Sequence, residues 1–280
     1  MPTITPEPGP PSDPELHRDR GMAESFGTDA ERYDRARPGY PDAVIERIAA
    51  ACPGPEILDV GCGTGIAARR FQAAGRTVLG VEPDARMAEV ARRLGTAVEV
   101  ATIEDWDPAG RTFDGVVSGQ AWHWVDPVAG AAKAARVLRP GGVLAAFWNA
   151  PRPPDEIVDA LAEAVRRVVP DIPVDVTAMK RPIEETYPAL IGKVADGVRA
   201  AGAFGGLDEW RHEWTRPYTR DEWLDQLPTA GVFTRLAPDR LAEVAELTGR
   251  AIDRLGGGFT MAYSTLVVMA SRVEGGAERG

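Results

Sequence analysis

Two acids flank a run of alternating glycines in the first third of the chain. Residues 55–65 read PEILDVGCGTG, with Asp59 near the end of an apolar run and Gly61, Gly63 and Gly65 at every second position after it. Glycine has neither bulk nor a φ restriction, so such a loop lets backbone come very close to a ligand. A dinucleotide loop reads G-x-G-x-x-G. Here the third glycine comes one residue early, and Asp59 would repel a pyrophosphate. Glu82 closes a second apolar run, 77–81, where an acid can accept both hydroxyls of a ribose. Residues 118–126 read SGQAWHWVD, which puts an amide, two indoles and an imidazole on one short segment. Aromatic faces attract cations, and a histidine can take or hold a proton near neutral pH.

The elements that must position these groups follow from the pattern. Ile57, Leu58 and Val60 suit a buried parallel strand, and 66–74 suits a helix whose N-terminal amides face the glycine loop. Further strands are expected at 77–81, 98–101, 113–117 and 143–147. Ligands of open α/β sheets lie outside the carboxyl ends of the strands, where the acids, the glycines and 118–126 all fall. Asp84 suits a helix cap, with Met87 on that helix's inner side. Residues 26–50 hold two helices broken near 37–41, and Pro41 suits a first turn. Residues 151–154 read as a linker. An amphipathic helix follows over 155–169, with Ile157, Leu161, Val165 and Val168 on one face. A second helix spans 189–201, opened by Pro188. A strand at 209–218, helices at 221–227 and 238–255, and a last strand at 259–270 complete the chain.

The acid-x-G-x-G-x-G spacing followed by Glu82 resembles motif I of the class I S-adenosylmethionine (SAM) methyltransferases. Gly119-Gln120-Ala121-Trp122-His123-Trp124 after a strand is similar to the branch that includes trans-aconitate methyltransferase. So is Leu138-Arg139-Pro140-Gly141-Gly142 before the fifth strand. Residues 33–41 match that family's Y-x-x-x-R-P-x-Y-P at each fixed position. The likeness covers about 25–150 closely and 205–272 loosely. It implies an α/β, Rossmann-like SAM methyltransferase fold. The sheet would have seven strands in the order 3-2-1-4-5-7-6, mostly parallel with one antiparallel strand. The division would be a disordered tail (1–22), a SAM-binding core (23–150), a helical lid insertion (151–205) covering the substrate, and the C-terminal part of the sheet (206–280).

The resemblance also implies roles. Asp59, Gly61, Cys62, Gly63 and Gly65 would wrap the methionyl part of SAM, beneath Tyr33 and Arg37. Arg37 would grip the SAM carboxylate through two parallel hydrogen bonds. Glu82 would hold the ribose, with Pro83 and Met87 beside it. Thr102, Ile103 and Glu104 would run along the adenine, Ile103 against the base and Glu104 or Asp105 at the exocyclic amine. Gly119 and Gln120 would lie by the reactive methyl, and Tyr40, Trp122, Trp124, Trp148 and Asn149 in the acceptor pocket. His123 would act as base for a hydroxyl or amine acceptor, or orient a carboxylate. Plainer readings stand beside these: a surface Arg37, a packing Tyr40, core indoles, and a His123 that only shapes its loop.

Composition narrows the class. The 280 residues carry 32 basic and 42 acidic side chains, a net charge of −10. An acidic surface tracks phosphodiesters poorly, so nucleic acid is not expected as a partner. Cys52 and Cys62 are the only cysteines and suggest no disulfide framework. There is no metal-ligand motif, no stretch long enough to span a membrane, and no secretory pattern in 1–14. A cytoplasmic enzyme that methylates a hydroxyl or carboxylate oxygen of a small molecule fits best, in an oligomeric state the sequence leaves open. Two other classes share the motifs: a SAM-fold protein with a non-methylating role such as cyclisation, and a peptide or protein methyltransferase.

Overall fold

The apolar runs become the parallel part of one sheet in the computed structural model, which describes residues 21, 25–171 and 175–273. The tail expected at 1–22 lies, apart from residue 21, outside the described residues. Strands β1 (Glu56–Val60), β2 (Thr77–Val81), β3 (Ala97–Glu99), β4 (Phe113–Gly119) and β5 (Leu138–Arg152) pair in parallel. β6 (Phe204–Thr219) and β7 (Gly258–Arg272) close the sheet, with β7 antiparallel to both β5 and β6. The order β3-β2-β1-β4-β5-β7-β6 is the expected one. β1 and β4 are buried at nearly every position, which is why their sequences run apolar without alternation.

Helices cover both faces. Val44, Ile45 and Ile48 of α2 (Asp42–Ala51) and Phe71 of α3 (Ile66–Ala73) pack with Ile57 and Phe147 on one face. They follow α1 (Ala30–Ala36) and precede α4 (Ala85–Arg93). On the other face, Ala134 and Val137 of α5 (Pro127–Val137) join Trp106, Trp122, Leu144 and Trp148. The asymmetry matters for the site, because the second face carries the indoles.

The segment 151–205 divides in two. α6 (Asp155–Val168) turns its apolar stripe to α9 (Pro238–Arg254), where Val158, Leu161 and Val165 meet Val244. Ile157 packs with Tyr218, Met261 and Tyr263 of the β6–β7 ribbon, with Trp223 of α8 (Arg220–Gln226), and with Ile252 of α9. α7 (Pro188–Ala201) instead lies on the sheet, adding Val194 and Val198 to the cluster around Trp122 and Trp148. Gly197 makes that approach feasible, since a Cβ there would fall 2.0 Å from the Pro127 carbonyl oxygen at the start of α5.

Two strand lengths differ from expectation. β5 does not stop near Phe147 but runs to Arg152, paired as far as Ala262 of β7. The expected linker therefore begins inside a strand, because an antiparallel partner supplies hydrogen bonds that local propensity does not foretell. β3 is shorter, three residues at the sheet edge, where it pairs with β2.

Candidate cofactor and acceptor site

The loop after β1 folds tightly under the segment after β4. Gly61 has φ +65°, and a Cβ there would lie 2.5 Å from the Ala121 Cβ. Beneath it, Asp59 is wholly buried, and neither carboxylate oxygen meets a donor with good hydrogen-bond geometry, although the Ala68 backbone N–H still acts on the carboxyl. Burial, and then the nearby Glu82 charge, push its carboxyl up to about 8. Glu82 is buried too, and burial pushes it up to about 7. Its Oε2 accepts from Gly63 N at 2.8 Å and its Oε1 from Asp84 N at 3.0 Å. Those two bonds fix the carboxylate and leave lone pairs on both oxygens for further donors.

A cavity of about 300 Å³ opens at these strand ends. Of the residues singled out from the sequence it is lined by Tyr33, Arg37, Gly61, Gly63, Glu82, Pro83, Met87, Thr102, Ile103, Glu104, Gly119, Gln120, His123 and Trp124. A smaller recess of about 50 Å³ shares Tyr33, Arg37, Gly61, Gly63, Gly119 and Gln120 with it, and adds Tyr40, Asp59, Cys62 and Asn149. Four candidates, Gly65, Asp105, Trp122 and Trp148, line neither. Gly65 stands at the start of α3, and Trp122 and Trp148 are buried in the core beneath. Asp105 is exposed and accepts from Thr102 Oγ1 at 3.1 Å, whereas Glu104 faces the cavity and accepts from Asp126 N at 2.9 Å.

Gln120 and Asn149 make the floor. Gln120 has φ +58°, a conformation that costs a non-glycine residue roughly 1–2 kcal/mol. Its backbone N donates to Phe147 O at 2.8 Å, and its Oε1 accepts from Asn149 N at 3.0 Å. The side-chain amide thus continues the β4–β5 ladder where β4 has turned away. Asn149 Nδ2 donates to Gly39 O at 3.0 Å, and its Oδ1 accepts from Thr265 Oγ1 at 2.7 Å. One buried amide therefore ties the 37–41 break to β5 and β7. Tyr40 rests edge-on against Phe147 at 4.8 Å, and its burial holds the phenol far above its usual range, hence neutral.

Arg37 lines both cavities from the end of α1, its guanidinium 5.3 Å from the Tyr33 ring. No carboxylate among the described residues pairs with it. His123 sits on the opposite wall, 4.8 Å from the Trp124 ring, and its Nδ1 accepts from Trp148 Nε1 at 3.1 Å. Sequence reasoning missed Phe26, which lines the cavity and meets Tyr33 and Trp124 edge-on at 6.0 and 6.3 Å. No helical spacing rule signals it, because Phe26 sits in a 3₁₀ turn (Phe26–Asp29) and Asp29 breaks the backbone before α1 and Tyr33.

The donor set fits SAM. The buried Asp59 carboxyl suits the ammonium, the Arg37 guanidinium suits the carboxylate, and Glu82 suits the ribose diol. Among the described residues, no group of three or more His, Cys, Asp or Glu could hold a metal ion, and no helix is long and apolar enough to cross a membrane.

Comparison with known proteins agrees. Residues 58–146 match the family described as a methyltransferase domain. An uncharacterized methyltransferase of Mycobacterium tuberculosis is 39% identical over 132 residues, 46% of this chain and 54% of its own. A malonyl-[acyl-carrier protein] O-methyltransferase of Pectobacterium atrosepticum is 34% identical over 137 residues, covering 47% and 54%. The chain spans about half the length of these curated relatives. A solved structure from Anaeromyxobacter dehalogenans, provisionally described as a type II methyltransferase, superposes with TM-score 0.60 at 23% identity over 85% of this chain and 98% of that one. The [4+2]-cyclase SpnF superposes with TM-score 0.51 at 16% identity over 96% and 100%, a likeness of fold alone. The match over residues 58–146 supports a class I SAM-dependent methyltransferase family for this chain.

Proposed function

We propose that this protein transfers a methyl group from SAM to a hydroxyl or carboxylate oxygen of a small-molecule acceptor. The observation that carries the reading is Asp59: a wholly buried carboxyl, pushed up to about 8 by its burial, is costly to ionise unless a cationic ligand completes it. When bound, SAM supplies a methyl group activated by a positive sulfur. The chain's own task is then placement, because holding reactants in line supplies much of the rate. Asp59 and Arg37 take the charged methionyl end, Glu82 the ribose, and Ile103 and Glu104 the adenine side. Trp124 and Phe26 shield the cavity from water, and His123 meets the acceptor. The O-methyltransferase among the relatives supports an oxygen acceptor. α6, α8 and α9, seated on the β6–β7 ribbon, serve as the lid, and Asp225 of α8 reaches Arg32 and Arg35 of α1 at 3.1 and 2.9 Å.

Calorimetry with SAM and S-adenosylhomocysteine tests the cofactor, and tight binding of a nicotinamide dinucleotide in their place would refute it. A coupled assay for S-adenosylhomocysteine across small carboxylic acids, phenols, alcohols and amines then tests the acceptor. Turnover confined to amines would refute the oxygen assignment.

A further inference from the structure

Trp148 and His123 lie 25 positions apart, one on β5 and one in the turn after β4, yet the Trp148 indole N–H donates to His123 Nδ1 at 3.1 Å. Trp148 is 2% exposed and wedged in the cluster that holds Leu144, Val194 and Val198, so its indole cannot swing aside without opening the core. An indole nitrogen is a donor only. The ring nitrogen it meets must offer a lone pair, and the neutral imidazole then keeps its proton on Nε2. A general base at Nε2 needs the reverse arrangement. Its proton would sit on Nδ1, directed at the indole N–H.

We propose that Trp148 is a positioning residue that holds His123 as an Nε2–H donor, so that His123 holds the acceptor and does not take its proton. This builds on the methyltransferase reading above and goes beyond it, since it decides between the two roles the imidazole could play. A hydroxyl acceptor then sheds its proton to water and not to this ring, whereas an acceptor that arrives ionised has none to shed. The residue lining the cavity is His123, and the residue that sets its chemistry is out of contact behind it.

The tautomer can be read directly in the ligand-free full chain. Histidine-labelled protein gives three imidazoles, and the His123 signals are assigned by their loss in His123→Gln. Long-range proton–nitrogen correlation at pH 8 should show a protonated Nε2 and a bare Nδ1. A proton on Nδ1 overturns the proposal, and that result needs no Trp148 variant to fold. Trp148→Phe keeps ring bulk and removes the donor, and should drift to mixed tautomers. Retention of the parental tautomer overturns the proposal as well. With the acceptor that the panel yields, Trp148→Phe should raise acceptor KM roughly three- to tenfold, the size of one hydrogen bond, and change kcat by less than about tenfold. A kcat loss of roughly 10²–10⁴-fold is the mark of a lost base and overturns the proposal. SAM affinity, measured by calorimetry, reports separately on the methyltransferase reading.

Discussion

At the ends of β1 and β2, two carboxyls are buried within reach of each other's charge, and one of them, Asp59, meets no donor with good hydrogen-bond geometry. On the β6–β7 ribbon, buried polar side chains meet one another instead. The Tyr218 and Tyr263 hydroxyls are 2.8 Å apart, and Trp214 Nε1 donates to Thr265 Oγ1 at 2.9 Å. The ribbon and its helices do leave some buried atoms unpaired, Trp223 Nε1 among them, but that group is neutral and costs far less to bury than a charge. On the proposed function, the contrast separates a region shaped for a ligand from one shaped for itself. In the first, stability would be given up where a cationic ligand restores it. In the second, polar groups and apolar stripes are spent on holding three long strands and their helices together.

The comparison can be broken where its energies are largest. Leu161→Ala removes a buried side chain from the α6–α9 contact and should cost about 2–5 kcal/mol of stability by denaturant unfolding. Below its unfolding transition the variant should bind SAM as the parent does. Weakened SAM binding in the still-folded variant would show that the two regions are not separable in this way.

Asp59→Asn acts on the other side. SAM should bind roughly 10- to 150-fold more weakly, the worth of a hydrogen bond to a charged group. Near neutral pH the ligand-free variant should melt higher than the parent, because the parent must take up a proton at Asp59 in order to fold. A lower melting temperature would mean that Asp59 already has its partner. The same carboxyl gives opposite pH trends with and without ligand. Its folded pKa of about 8 lies above its ordinary value of 3.8. Between the two, the folded ligand-free chain holds a proton that the unfolded chain has lost. Stability present below about pH 4 is therefore lost as pH rises through about 8. SAM, being cationic there, favours the ionised form, so its affinity should climb by up to about tenfold per pH unit until pH 8 and then level off. Flat affinity from pH 6 to 9 would remove Asp59 from the cofactor site.

Smaller effects sharpen the boundary. Glu82→Gln keeps the side chain's shape and one acceptor, so SAM affinity should fall only about 2- to 10-fold. Smallest of all is Asp225→Asn, which loosens an exposed contact between α8 and α1 and should barely move the melting temperature, as exposed ion pairs contribute little. Its readout is hydrogen exchange: α8 and α1 should exchange faster in the variant when S-adenosylhomocysteine is bound. Unchanged exchange would take the α8–α1 contact out of the lid.

That the residues of the proposed cofactor region come together was legible because they are local in sequence. Asp59, Gly61 and Gly63 stand within five residues of one another, and Glu82 follows one helix and one strand later. Strand ends in a parallel sheet all point one way, so a linear reading already placed these groups together. The indoles were harder. Trp122, Trp124 and Trp148 looked alike as aromatic residues at strand ends, but Trp124 faces the cavity while the other two are buried below it. Which side of a short turn a ring takes depends on what packs over it, here α5 and α7, and no spacing rule carries that information.

The sequence by itself determined the parallel core and the acid–glycine–acid frame at its strand ends, because each rests on contacts between near neighbours or on hydrogen bonds that any such loop must make; the strand order was expected only through the family likeness. Tertiary structure alone decided the rest. It carried β5 through an expected linker by pairing it with a strand more than a hundred residues later. It parted the 151–205 segment into a helix on the ribbon and a helix on the sheet. It also set Trp148 behind His123, so that a ring whose role the sequence left open meets a donor N–H from another strand. Those outcomes depend on which distant surfaces bury the most apolar area and satisfy the most polar groups at once, and that competition is settled only when the whole chain is packed.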